Sequence, residues 1–290
     1  MAVEQFFSPV SLDEAVGYSS GDKTAFLAGG TDLLVAIRLG QNCPKTLIDL
    51  KKIPDLSKIV FEENVVRIGA AVSGAKVSQN HTLTAMFPGL AEAMDLIGST
   101  QIQGRCSAGG NLCNASPAAD CIPALIVNGA KCRIHGSDGE RLLPVEEFVV
   151  GPNQNALKDR ELLVQLLLPK PDPRTSDAYL RLTPRTEMDI AVAGAAVSIT
   201  IDLQGVCTSA RVSIGAVAPT AVLVEAAGSA LVGTHFEESA IDRVVEAVRQ
   251  AACPISDKRG SAEYRTHVVG VLVRRSIQLA KARVVLGEAT

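Results

Sequence analysis

The segment Gly109-Gly110-Asn111-Leu112-Cys113-Asn114-Ala115-Ser116-Pro117-Ala118-Ala119-Asp120 is where two kinds of local signal meet. Paired glycines let a backbone approach a ligand without a Cβ in the way. Ser116 and Pro117 suit the N-cap and first position of a helix, which the apolar run to Val127 predicts, with Asn128 and Gly129 closing it. Upstream, Gln101 to Asn114 is polar and glycine-rich, and reads as an irregular loop. A second stretch of the same character, Ala28-Gly29-Gly30-Thr31-Asp32, follows strand-like Phe26 and Leu27 and precedes a helix over Leu33 to Leu39 that Gly40 stops. Two glycine loops beside helices predict a cradle for a diphosphate. Neither loop has the Gly-x-Gly-x-x-Gly or Lys-Ser/Thr pattern, which disfavours a Rossmann dinucleotide site and an ordinary ATPase.

Working outward, Ser11 and Glu14 have capping-box spacing before a first helix. Leu47 to Leu50 and Val65 to Val72 read as strands, Pro88 to Ile97 as a helix, and Cys132 to His135 and Leu162 to Leu168 as further strands. Pro169, Pro171 and Pro173 then mark a linker. An N-terminal domain over 1–173 and a C-terminal domain over 177–290 are expected. In the latter, Ala191 to Ile201 and Ala210 to Val217 read as strands. Ile241, Val244, Val245 and Val248 form one helical face, with Thr234 and Glu237 as a possible capping pair, and Val268, Val271, Leu272 and Leu279 form another. That mixture is α+β.

The 290 residues suffice for two cores, and 47% of them are hydrophobic. A net charge of −3 without charge blocks gives no footprint for nucleic acid or an anionic membrane. No apolar run approaches a membrane span and no signal-peptide core is seen, so a cytoplasmic protein is expected. Seven cysteines are an odd number, against a complete disulfide framework. Cys106, Cys113, Cys121 and Cys132 lie in one stretch without a Cys-x-x-Cys pair, which argues against an iron–sulfur cluster here. His81, His135, His235 and His267 lack metal-site spacing, and no metal is expected in this chain.

The two glycine segments resemble those of the FAD-binding medium subunits of the xanthine dehydrogenase and carbon monoxide dehydrogenase family of molybdenum hydroxylases. The resemblance continues through Ile48 to Leu56, Glu161 to Pro169, Arg185 to Ala191 and Pro254 to Arg265, nearly the whole chain. It implies a two-subdomain α/β FAD-binding domain of the PCMH type (about 1–55 and 56–173), then a smaller α+β domain with an antiparallel sheet and helices. It also implies FAD between the subdomains, with Ala28, Gly29, Gly30, Thr31 and Asp32, and Ser107, Ala108, Gly109, Gly110 and Asn111, holding its diphosphate. On matching positions Asp120 would bond the ribityl chain, Leu163 would contact FAD, and Arg181 would offset charge on reduced flavin.

The implied partners are a large molybdenum-cofactor subunit and a small [2Fe-2S] subunit, in a dimer of heterotrimers. Electrons would pass through this chain to an external acceptor, with no catalytic acid or base within it. The chain departs from the family at Gln103 and Gly104. Thr31-Asp32 also stands where carbon monoxide dehydrogenases resemble His-Ser, which favours an organic substrate for the holoenzyme. Alternatives from other classes are a stand-alone PCMH-type flavoprotein oxidase or reductase, and a non-catalytic nucleotide-binding module.

Overall fold

The computed structural model describes residues 3–19 and 23–287. Strands β1 (Gln5–Phe7), β2 (Thr24–Leu27) and β3 (Thr46–Asp49) pair in parallel in the order β1-β3-β2. Parallel pairing needs a crossover between strands, which α1 (Leu12–Tyr18) and α2 (Leu33–Arg38) provide. Ser11 Oγ accepts from Glu14 N at 3.2 Å, so α1 begins where the capping spacing predicts. Ala15 and Val16 of α1 are buried, whereas no side chain of α2 is.

A second sheet is antiparallel and five-stranded. It contains β4 (Ile59–Phe61), β5 (Val65–Gly69), β6 (Lys131–Gly136) and β7 (Gly139–Pro144), followed in sequence by a small hairpin, β8 (Val149–Gly151) and β9 (Gln154–Asn155), and then by β10 (Leu162–Pro169). The order β4-β5-β10-β6-β7 puts β10 at the centre. That position explains its nearly continuous apolar sequence, since a central strand is covered on both faces.

Between β5 and β6 run α3 (Gly74–Ser78), α4 (His81–Met86), α5 (Pro88–Asp95), α6 (Thr100–Gln103), α7 (Ala108–Asn114) and α8 (Cys121–Val127); α9 (Val145–Phe148) follows β7. The expected loop over 101–114 is therefore helical, and Gly109 and Gly110 lie in the first turn of α7. Ser107 caps that turn, its Oγ accepting from Gly110 N at 3.0 Å. A Cβ on Gly109 would come within 2.5 Å of Ala70 O, so close packing overrides glycine's poor helix propensity. The next helix begins at Cys121, later than Ser116-Pro117 predicts. Ala115, in the left-handed region at φ 51°, ends α7, and Ser116 Oγ accepts from Ala118 N in a turn.

Beyond residue 174, β11 (Thr175–Leu182), β12 (Ala193–Ile201), β13 (Cys207–Gly215) and β14 (Val222–Leu223) form an antiparallel meander. Helices α10 (Glu225–Leu231), α11 (Glu238–Ala251) and α12 (Ala262–Gly287) complete the chain. The meander is covered on both faces: Tyr179 and Ala196 belong to the core of the preceding sheet, while Ala178, Ala195 and Val197 share a second core with α11 and α12. Ile241, Val244, Val245 and Val248 are buried, as their spacing predicts, each contributing about 1.5–3 kcal/mol by burial. The expected Thr234–Glu237 capping pair does not form. Thr234 Oγ1 donates to Leu231 O, and Glu237 Oε2 accepts from His235 N. On α12, Val268 and Leu272 are buried but Val271 and Leu279 only partly so, and the centre of the face is Val269, Val273 and Ile277. No helix among the described residues is long and apolar enough to cross a membrane.

Candidate functional site

The two glycine segments meet directly. A Cβ on Gly29 would lie 1.9 Å from Arg105 O, so only glycine lets the first loop rest against the turn between α6 and α7. Gly30 has φ 81°, a conformation L residues rarely adopt. Lys51, in the turn after β3, donates from Nζ to Ala28 O at 3.2 Å and pairs with Asp49 at 2.5 Å, which ties the start of the loop to its own sheet.

Between the loops lies a cavity of about 490 Å³. Ala28, Gly29, Gly30, Thr31 and Asp32 line it from one side, and Ser107, Gly110 and Asn111 from the other. Ala108 and Gly109 stand behind that wall, packed in the core. Phe26, Val35 and Ile97 give the cavity apolar surface, while Gln41, Asn42 and Asn114 add amides. Sequence reasoning did not single out Gln41 and Asn42. They wrap round the end of α2, their N–H groups both donating to Ala36 O, a consequence of the left-handed Gly40 that the sequence did signal as a stop.

The wall chemistry suits a flat ligand bearing phosphates. Among the described residues Asp32 is the single charged one on it, so anionic charge would be met by N–H and O–H dipoles rather than by a cation. A Cβ on Gly110 would approach only Ser107 Oγ, at 3.0 Å, so this wall stays open for a close backbone contact. These features accommodate the diphosphate and the aromatic end of a dinucleotide such as FAD. Burial pushes the cavity-lining thiols of Cys106 and Cys113 up to about 11 and about 12, so both remain protonated at neutral pH and poorly nucleophilic.

Three of the expected residues lie away from this cavity. Leu163 is buried in β10, within the core. Asp120 precedes α8; its Oδ1 accepts from Tyr179 Oη at 2.8 Å and its Oδ2 from Arg181 Nη1 at 2.6 Å. Burial pushes the Asp120 carboxyl up to about 6, a rise that Arg181 and the Tyr179 hydroxyl limit. Arg181 Nε is buried without a hydrogen-bond partner. This Tyr–Asp–Arg unit joins α8 to β11, and neither Tyr179 nor its link to Asp120 was visible in sequence. No group of three or more His, Cys, Asp or Glu side chains among the described residues could hold a metal ion.

With this geometry in place, comparison with known proteins gives matches over nearly the whole chain. Residues 2–171 match the family model described as the FAD binding domain in molybdopterin dehydrogenase, and residues 177–280 match the CO dehydrogenase flavoprotein C-terminal domain. The chain is 34% identical over 281 residues to a carbon monoxide dehydrogenase medium chain of Afipia carboxidovorans, covering 96% of each. It is 28% identical to a xanthine dehydrogenase FAD-binding subunit of Escherichia coli O157:H7, covering 94% of each. A solved carbon monoxide dehydrogenase from Hydrogenophaga pseudoflava, lacking the Mo-pyranopterin moiety of its molybdenum cofactor, superposes with a TM-score of 0.92. There the identity is 33%, with 96% of this chain and 97% of that one covered.

Proposed function

The chain belongs to the family of FAD-binding subunits of molybdopterin dehydrogenases, and from that membership we propose that it is the electron-transfer subunit of a molybdenum hydroxylase. In this reading substrate is hydroxylated in a large molybdenum-cofactor subunit. Electrons pass through [2Fe-2S] centres of a small subunit into this chain and leave to an external acceptor, the three subunits assembling as a dimer of heterotrimers. The observation that carries the reading is the cavity between the two glycine loops, whose walls offer hydroxyl, amide and backbone dipoles. The relatives' own names, medium chain and FAD-binding subunit, support a place within a larger assembly. An odd number of cysteines suits a reducing compartment, and the cytoplasm is the location proposed.

FAD, when bound, supplies the redox chemistry; the chain's residues position it. Thr31, Ser107 and Asn111 would hold the diphosphate with side-chain and loop donors, while Gly29 and Gly109 keep the loops close enough to do so. Asp120 retains lone pairs beyond those used by Tyr179 and Arg181, and would accept from a ribityl hydroxyl. Because Asp120, Arg181 and Leu163 lie outside the cavity, these contacts need a flavin end that extends beyond it, where Arg181, fixed by Asp120, would offset charge on the reduced flavin and Leu163 would add apolar surface.

The test is stopped-flow reduction by substrate, with and without the partner subunits, on protein isolated with its natural partners. Flavin and iron–sulfur absorption, with flavin reduction only in the assembled complex, is the expected result. Rapid reduction of the isolated chain by substrate would instead establish a stand-alone oxidase, and absence of flavin a nucleotide-binding module.

A further inference from the structure

Asn111 sits on the cavity wall with its backbone N–H already spent on Ser107 O at 2.9 Å. What it offers a ligand is therefore its side-chain amide, which has an accepting and a donating edge. A diphosphate needs the donating edge; the accepting edge would repel it. Gly110 N–H is likewise spent, on Ser107 Oγ, so the orientation of this amide weighs heavily in the donor count of the wall.

Behind Asn111, away from the cavity, lies Cys121, fully buried at the start of α8. Its Sγ is 2.8 Å from Asn111 Oδ1, and 3.7 Å from its other acceptor, Ala108 O. We infer that Cys121 is a positioning residue whose S–H, donating to Asn111 Oδ1, turns the Asn111 N–H₂ edge into the cavity to meet the FAD diphosphate. The inference rests on the FAD reading above. The direction of the amide depends on the proton staying on sulfur, because a thiolate would accept from Nδ2 and turn Oδ1 toward the phosphates. Burial raises this thiol well above its ordinary value and so keeps it a donor.

A double-mutant cycle on the full chain tests this, with dissociation constants for FAD and for ADP measured on flavin-free protein. ADP carries the diphosphate without the flavin. Losing one neutral hydrogen bond corresponds to about a fivefold weakening. Cys121→Ala is expected to weaken both ligands by about that factor, Cys121→Ser to stay within about twofold of wild type, and Cys121→Ala to have no further effect in an Asn111→Ala background. Melting temperatures of the flavin-free variants are recorded in parallel. If Cys121→Ala lowers its own melting temperature severely, the isosteric pair Cys121→Thr, which keeps a hydroxyl donor, and Cys121→Val, which lacks one, takes its place. Cys121→Thr is then expected to bind as wild type does and Cys121→Val about fivefold more weakly, and equal binding by the two overturns the idea. The idea is overturned if Cys121→Ala binds as tightly as wild type, if Cys121→Ser behaves as Cys121→Ala does, or if Cys121→Ala weakens binding equally when Asn111 is already alanine. Failure of wild type to bind FAD at all would instead sink the cofactor reading.

Discussion

Gly29 lies against Arg105 so closely that a single added carbon would sit 1.9 Å from the Arg105 carbonyl oxygen. Neither backbone can yield easily, since the first loop is tied to Asp49 through Lys51 and Ala28, and Arg105 N donates to Ile102 O. Gly29→Ala is therefore expected to destabilise the chain by at least about 3 kcal/mol, above the usual overpacking cost, and to abolish flavin retention. Urea unfolding and flavin content per chain measure the two effects. An alanine variant of normal stability would show that the loops do not need this contact.

Gly110 predicts a different outcome, because its missing Cβ faces the cavity. Gly110→Val should disrupt the Ser107 cap, obstruct the ligand and lower flavin content at least about tenfold. Cys113→Ser, nearly isosteric on the same wall, should stay within about twofold. Equal losses would point to a role for the thiol.

Bound flavin should be released by acid precipitation. Cys106 and Cys113, the thiols lining the cavity, are held protonated by burial, and among the described residues no histidine lines it. Yellow colour remaining with the precipitated protein would mean covalent attachment, with those two thiols the first to test.

Asp177 gives a pH dependence with a definite sign. Its carboxylate is 2% exposed where α5 packs on β11, accepting from Gly89 N and Asn128 Nδ2. Burial pushes it from 3.8 up to about 6, with those two donors limiting the rise. The folded chain thus holds this proton more tightly than the unfolded chain, so the stabilisation is fullest below about pH 4 and is lost as pH rises to about 6. The full span is on the order of 3 kcal/mol. Subtracting the stability of Asp177→Asn from that of wild type at each pH removes the contributions of other carboxyls. The difference should fall across that window, and a flat difference would refute the assignment.

Much of this architecture was legible in the sequence because it rests on local signals. The Ser11 cap, the Gly40 stop, the apolar run of β10 and the Ile241–Val248 face all appear where spacing and capping place them. Glycine misled where packing won. Gly109 and Gly110 marked a loop by propensity but sit in a helical turn, held by Ser107 and by contact with Ala70. The arrangement of Asp120, Tyr179 and Arg181 could not be read, because it joins residues about sixty positions apart across two elements. Gln41 and Asn42 reach the cavity only through the chain reversal at Gly40, whose direction a sequence does not specify.

Helix α2 walls the cavity with Leu33, Val35 and Ala36 yet buries none of its own side chains, and Leu34 and Leu39 face outward. Its cohesion thus depends on its neighbours on the ligand side more than on any core of its own, and segments with few buried contacts open at low free-energy cost. The backbone amides of residues 33–38 should therefore behave as a built-in occupancy gauge. Their hydrogen exchange should slow markedly once the cavity is filled, while the amides of β10, already deep in the central sheet, should keep the same rate in both states.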